Sequence, residues 1–234
     1  MPSVLFALTS HGDLGDTGRL TGFYVPEAAG PYRVFTAAGY DVDFVSVQGG
    51  APPRDGIKPE DEETAAFLLD NADALACTPA AGEVSAGSYA AIWLVGGHGA
   101  MWDFPVAQDL AALAREIYAA GGVIGAVCHG AAALVDLRLD DRSYLVDGRQ
   151  LTAFTNAEEE EAGMSRLVPF ALETALTARG ARFTAGAPFT DHAVADGRLV
   201  TGQNPASAVT AAGLAVQALD AGYHPGRHRR ARRP

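Results

Sequence analysis

The chain has 234 residues, 48% of them hydrophobic and 8% aromatic, so one core can bury roughly three quarters of the unfolded surface and a single large domain is the default. The net charge of −11 hides an asymmetry: Arg227, Arg229, Arg230, Arg232 and Arg233 fall in the last ten residues and leave 12 basic against 28 acidic side chains before them, a body that repels phosphate backbones and disfavours nucleic acid as a partner. No apolar run approaches the roughly 18 residues of a membrane span and no secretory leader is recognisable, so a soluble, cytoplasmic protein without a membrane partner is expected.

Taken in chain order, residues 4–8 read as a strand, 26–38 as a helix, 42–47 as a strand and 60–71 as a helix. A short buried strand follows at 92–95, a helix at 107–120, a strand at 122–127 and a further helix from 131 onward. Strands alternating with helices of this length imply right-handed crossovers and a mostly parallel sheet covered on both faces, an α/β fold of three layers. Residues 193–201 read as a small C-terminal hairpin around Asp196-Gly197, and 204–219 as a closing helix. The domain is thus expected to occupy residues 1–222, with 223–234 an Arg-rich, disordered tail. Two Gly-, Pro- and Asp-rich segments, 9–24 and 48–59, are long for simple connections and follow strands. In an open parallel sheet they emerge where ligands bind, and they are expected to wall the site.

Only Cys77 and Cys128 are present, and they read as separate thiols. Cys77, in an Ala-rich stretch, reads as structural. Cys128 lies between an apolar strand and a small-residue segment, flanked by Ala126 and Gly130, like a G-x-S-x-G elbow with sulfur for oxygen. A helix N-terminus behind it would favour thiolate. A buried structural cysteine is the bland alternative, and adjacent His129 weighs against it. A second strand ends in Gly96-Gly97-His98-Gly99, whose amides could approach a ligand, though a glycine-rich turn is also ordinary connecting structure. Glu27 at a helix start and the acidic run 158–161 each have a plain explanation in the helix dipole. The remaining histidines have no metal-ligand spacing, and no metal site is expected.

Combined, these pieces resemble the ThiJ/PfpI superfamily, on the flavodoxin-like fold of class I glutamine amidotransferase domains, and in particular its glyoxalase III-like and holdase-chaperone branch. The resemblance rests on residues 22–31, 40–46, Gly96-Gly97-His98-Gly99 with Asp103, Ala126-Val127-Cys128-His129-Gly130, residues 154–159 and residues 199–205. It implies Cys128 as nucleophile, His129 as acid/base, and Glu27 as the carboxyl group beside the sulfur. It also implies an acid that orients the histidine, placed at Glu159 with Glu158 as the one-residue alternative. Gly96, Gly97, His98 and Gly99 would line the substrate site.

The implied activity is glutathione-independent conversion of methylglyoxal or a related 2-oxoaldehyde to a lactate-type 2-hydroxy acid, a D-lactate dehydratase-class lyase reaction that needs no cofactor. The same resemblance admits a stress-response holdase that binds unfolded proteins, with the thiol as redox sensor. Lower in rank it admits a cysteine peptidase, an amidase or a protein deglycase. Relatives of this kind are often homodimers.

Overall fold

Side chains alternate along the buried strands, and both faces they present are apolar, so the sheet must be covered twice. The computed structural model describes residues 2–58 and 60–222; the Arg-rich segment 223–234 and its expected disorder lie outside the described residues. The strands are β1 (Ser3–Leu8), β2 (Phe23–Tyr24), β3 (Asp41–Ser46), β4 (Gln48–Gly50), β5 (Arg54–Asp55), β6 (Thr78–Ala80), β7 (Tyr89–Leu94), β8 (Val123–Val127), β9 (Gln150–Leu151), β10 (Arg182–Phe183), β11 (Ala193–Asp196) and β12 (Leu199–Gly202). Eight of them form one sheet in the order β11-β12-β8-β7-β1-β3-β6-β4. Its pairs are parallel except at the two edges, where β11 runs against β12 and β4 against β6.

The helices are α1 (Pro26–Ala37), α2 (Glu62–Asp70), α3 (Ala72–Ala76), α4 (Ala100–Asp103), α5 (Gln108–Ala119), α6 (Asn156–Glu161), α7 (Leu172–Ala178) and α8 (Ala208–Gly222). On one face of the sheet Leu5, Ala7, Ile92, Leu94, Ile124 and Ala126 pack with Leu110, Leu113 and Ile117 of α5 and Leu172 and Leu176 of α7. On the other, Val4, Phe6, Leu8, Trp93, Val123 and Val127 pack with Phe35 of α1, Phe67 of α2 and the small-residue stripe of α8. The fold is therefore the expected three-layer α/β/α arrangement with a mostly parallel, flavodoxin-like sheet, and the expected hairpin closes one edge.

One expected element takes another form. The helix anticipated from residue 131 is a 3-10 helix that begins earlier, Cys128–Leu134, and every residue in it is buried. Its one strongly polar side chain, His129, turns inward, so the segment has no amphipathic stripe to lay an α-helix on the surface. It stays under the sheet end and passes into the bridged turn joining Arg138 and Tyr144.

The two long loops meet. β2, in the first, pairs in parallel with β5, in the second, through Phe23 with Arg54 and Tyr24 with Asp55. The Tyr24 amide also donates to the Gly96 carbonyl at 2.9 Å, which seats the joined loops against the end of β7. Asp103 holds the entry to the first loop, accepting from the Thr9 hydroxyl at 2.8 Å and the Ser10 amide at 2.7 Å.

The end of α5 is tied to β8 and β12 by one cation. Arg198 donates to the carbonyls of Tyr118 at 2.6 Å and Gly122 at 2.7 Å and lies over the Tyr118 ring at 4.0 Å. Arg198→Ala removes the guanidinium donor from both carbonyls, that of Tyr118 keeping the Gly121 amide at 3.0 Å, and is expected to lower stability by about 1–3 kcal/mol in urea unfolding. A loss below the error of that measurement would show that solvent replaces the guanidinium there.

Candidate active site

Strand β8 delivers Cys128 at its carboxyl end with φ of 55°, in the left-handed region where a side chain costs backbone strain. The turn is this tight because the next segment crosses beneath β7: a Cβ at Gly130 would collide with the Leu94 carbonyl. Cys128 is 4% exposed.

Glu27, in the first turn of α1, is fully buried. A Cβ at Gly96 would overlap the Glu27 carboxyl and reach the Cys128 Cβ at 2.9 Å, so the missing side chain is what lets carboxyl and cysteine share one space. Neither Glu27 oxygen has a conventional hydrogen-bond partner, and the polar group they face is the Cys128 thiol. Burial pushes the Glu27 carboxyl up to about 8 against the pull of that thiol. It is therefore neutral at pH 7, which removes the helix-dipole explanation for an acid at this position: a dipole stabilises the ionised form.

The expectation of a thiolate does not hold for the resting site. Burial first, and Glu27 beside it, raise the Cys128 thiol well above its ordinary value; the His129 backbone amide pulls the other way and loses. With Glu27 neutral its repulsion is absent, and desolvation remains the largest cause, helped by the charge on Glu159. The 3-10 helix behind the sulfur supplies too short a dipole to overcome it.

His129 links the sulfur to a carboxylate. Its Nδ1 lies 3.3 Å from the Cys128 sulfur and its Nε2 2.8 Å from Glu159 Oε2. Burial and the neighbouring His98 ring push the His129 imidazole down to about 4 in spite of Glu159, so the ring is neutral at pH 7. A neutral ring that donates Nε2–H to a carboxylate presents Nδ1 as a free acceptor to the thiol. Glu159 stays ionised: burial alone would raise its pKa, but hydrogen bonds from His129 and His98 hold it at about 2. His98 Nε2 meets Glu159 Oε1 at 3.0 Å, and the two imidazole rings lie 4.1 Å apart. One carboxylate thus bridges two histidines.

The structure brings Cys128, His129, Glu159, Glu27 and His98 together. Of the two candidate acids it sets Glu159 beside His129, whereas Glu158 faces away into a separate hydrogen-bond cluster. The glycines of residues 96–99 have packing reasons of their own: Gly96 admits Glu27, and Gly97, with φ of 113°, admits the backbone of residues 22–24. Sequence reasoning assigned no role to Phe154, whose ring lies 4.5 Å from His129, or to Phe189 behind it at 6.0 Å. It found no metal-ligand spacing, yet His98, His129 and Glu159 each place a donor atom within 4.8 Å of the others and could hold an ion. Cys77 is exposed and unpaired with Cys128.

The sequence profile described as the DJ-1/PfpI family matches residues 21–218. The glutathione-independent glyoxalase HSP31 of Saccharomyces cerevisiae is 36% identical over 233 residues, covering 92% of this chain and 97% of the yeast protein. Glyoxalase 3 of Candida albicans is 31% identical over 239 residues, covering 94% and 99%. Among solved structures, glyoxalase III from Candida albicans superposes with a TM-score of 0.85 at 31% identity, covering 93% of this chain and 97% of that one. Rapid Encystment Protein 24 KDa of Francisella tularensis does so at 0.90 and 33% identity, covering 94% and 99%.

The Glu27 shift has a measurable sign. Its folded pKa lies above its ordinary value of 4.5, so unfolding between the two releases a proton, and stability is full below the lower value and falls as pH rises toward about 8. Glu27→Gln carries no such proton. Urea unfolding at several pH values should show the variant gaining on the wild type by up to about 1.4 kcal/mol per pH unit across that window. A gap that stays constant would mean that the carboxyl is ionised in the fold.

Proposed function

The chain belongs to the DJ-1/PfpI family, and from that premise we propose that it is a glutathione-independent glyoxalase, converting methylglyoxal or a related 2-oxoaldehyde to the 2-hydroxy acid. The observation that carries the reading is the contact of the Cys128 sulfur with the Nδ1 of a neutral His129 whose other nitrogen is anchored on Glu159. The named activities of the yeast and Candida relatives support it.

In this mechanism the sulfur adds to the aldehyde carbon as its proton passes to His129 Nδ1, giving a hemithioacetal. Glu27, neutral and against the sulfur, offers a proton without repelling the developing negative charge. Backbone amides at Gly97 and His129 are the assigned donors to the hemithioacetal oxygen. His129 passes the thiol proton on to the hemithioacetal oxygen and, neutral again, takes the proton from the former aldehyde carbon and returns it to the adjacent carbon, through an enediol. The first carbon ends as a thioester and the second as an alcohol, so the oxidation of one is balanced by the reduction of the other. Water cleaves the thioester and restores the thiol. The sum is oxoaldehyde plus water to hydroxy acid, with no external electron acceptor.

Glu159 supports the proton shift by holding His129 in the tautomer that accepts at Nδ1 and by balancing the imidazolium that forms. His98, on the other oxygen of Glu159 and 19% exposed in its side chain, is assigned to the solvent side, where it can pass protons to substrate oxygens.

Progress curves with methylglyoxal and no glutathione test the reading. Wild type should yield lactate, Cys128→Ala should lose at least about 10³-fold, and Glu159→Gln about 10²-fold. Full activity in Cys128→Ala would end the covalent mechanism; no lactate from wild type would end the substrate assignment.

A further inference from the structure

Glu158 sits one residue from the histidine anchor and has no place in the mechanism above, yet it is completely buried. Its carboxylate accepts five hydrogen bonds. Oε2 takes the Thr155 amide and the Thr155 hydroxyl, each at 2.9 Å. Oε1 takes the Phe189 amide at 2.8 Å, the Gln203 side-chain amide at 3.0 Å and the Asn204 side-chain amide at 2.7 Å. The first pair closes a reciprocal cap with Thr155, whose hydroxyl accepts the Glu158 amide at 3.1 Å. Burial would raise the carboxyl's pKa, but the donors overcome it and keep the group ionised.

Two things that touch His129 depend on these donors. Glu159 lies on the same helical turn, its amide bonded to the Thr155 carbonyl at 2.9 Å, so the cap fixes where its carboxylate points. Phe189 adopts φ of 55°, a strained conformation for a bulky residue, with its amide turned onto Glu158. Its ring packs edge-on to Phe154, which in turn lies against His129. Gln203 and Asn204 follow β12, so the same carboxylate also ties the sheet's hairpin edge to this wall.

We propose that Glu158 is a positioning residue of the site: by collecting donors from residues 155, 189, 203 and 204 on one buried carboxylate, it fixes both the Glu159 anchor and the Phe154–Phe189 wall against His129. The role rests on the reading that His129 moves protons to and from Cys128 and the substrate.

An amide cannot replace this carboxylate. Glutamine has one acceptor oxygen, and whichever way it is turned its NH2 group faces donors, either the pair on Thr155 or the three on the other side. The unpaired donors must move, and α6 or the Phe189 turn moves with them.

The test measures steady-state kinetics with methylglyoxal and the pH dependence of Cys128 alkylation by iodoacetamide, all in a Cys77→Ser background. Alkylation reports transfer of the thiol proton to His129 without any aldehyde chemistry. Glu158→Gln should lower kcat about 10- to 100-fold with KM near the wild-type value, and should shift the alkylation profile in the direction that Glu159→Gln shifts it. A folded Glu158→Gln protein with wild-type kcat and profile would overturn the proposal. If that variant does not fold, Thr155→Val and Thr155→Ser decide: the valine, which removes the hydroxyl, should shift the profile, and the serine, which keeps it, should not. A wild-type profile in Thr155→Val, or a serine variant as impaired as the valine, would overturn it. Failure of wild type to make lactate would remove the substrate assignment and leave the alkylation comparison to judge the positioning role.

Discussion

The parallel register of two central strands sets the geometry on which the site depends. β7 and β8 pair with Leu94 opposite Ala126, so the residues two steps beyond each, Gly96 and Cys128, emerge side by side at the carboxyl edge of the sheet. Every atom there is contested. Gly96 has no side chain because Glu27 and Cys128 fill the space, and Gly130 has none because the Leu94 carbonyl does. The left-handed backbone at Cys128 is the shape left to a chain that must turn in that gap.

Exclusion of water from this corner makes the electrostatics depend on counting donors. Three carboxyl groups are buried within a short distance of the chemistry or its support, and each meets a different number of partners. Glu27 faces a thiol and stays neutral at pH 7; Glu159 meets two imidazoles and ionises; Glu158 meets five donors and ionises. Desolvation acts in the same direction on all three, so it is hydrogen bonding that separates them. A protein can in this way place a proton donor beside the sulfur and a fixed negative charge behind the base, using the same residue type.

Much of this architecture was legible in the chain itself. Short apolar runs between helical segments marked the central strands because a strand buried on both faces has no polar alternation to confuse it. The elbow was legible because small residues crowd around a lone cysteine and a histidine. What could not be read from the local pattern were properties of space rather than order. Four consecutive glutamates at 158–161 look alike in sequence, and only the helix phase separates Glu159, which meets the histidines, from Glu158, which meets the hairpin edge. The 3-10 form of Cys128–Leu134 was hidden because a run of small and apolar residues interrupted by a single histidine has no period to read. Phe189 sits 35 residues past Phe154, with no motif to connect them.

The burial of the Cys128 sulfur bears on durability as well as reactivity. Peroxides attack thiolates, and a sulfur held protonated behind a 4% exposed surface offers them little to attack. In the proposed mechanism a carbonyl compound small enough to reach it meets a different situation, since its own oxygen takes up the charge as the sulfur bonds and His129 takes the proton. The electrophile itself thus triggers the nucleophile it needs.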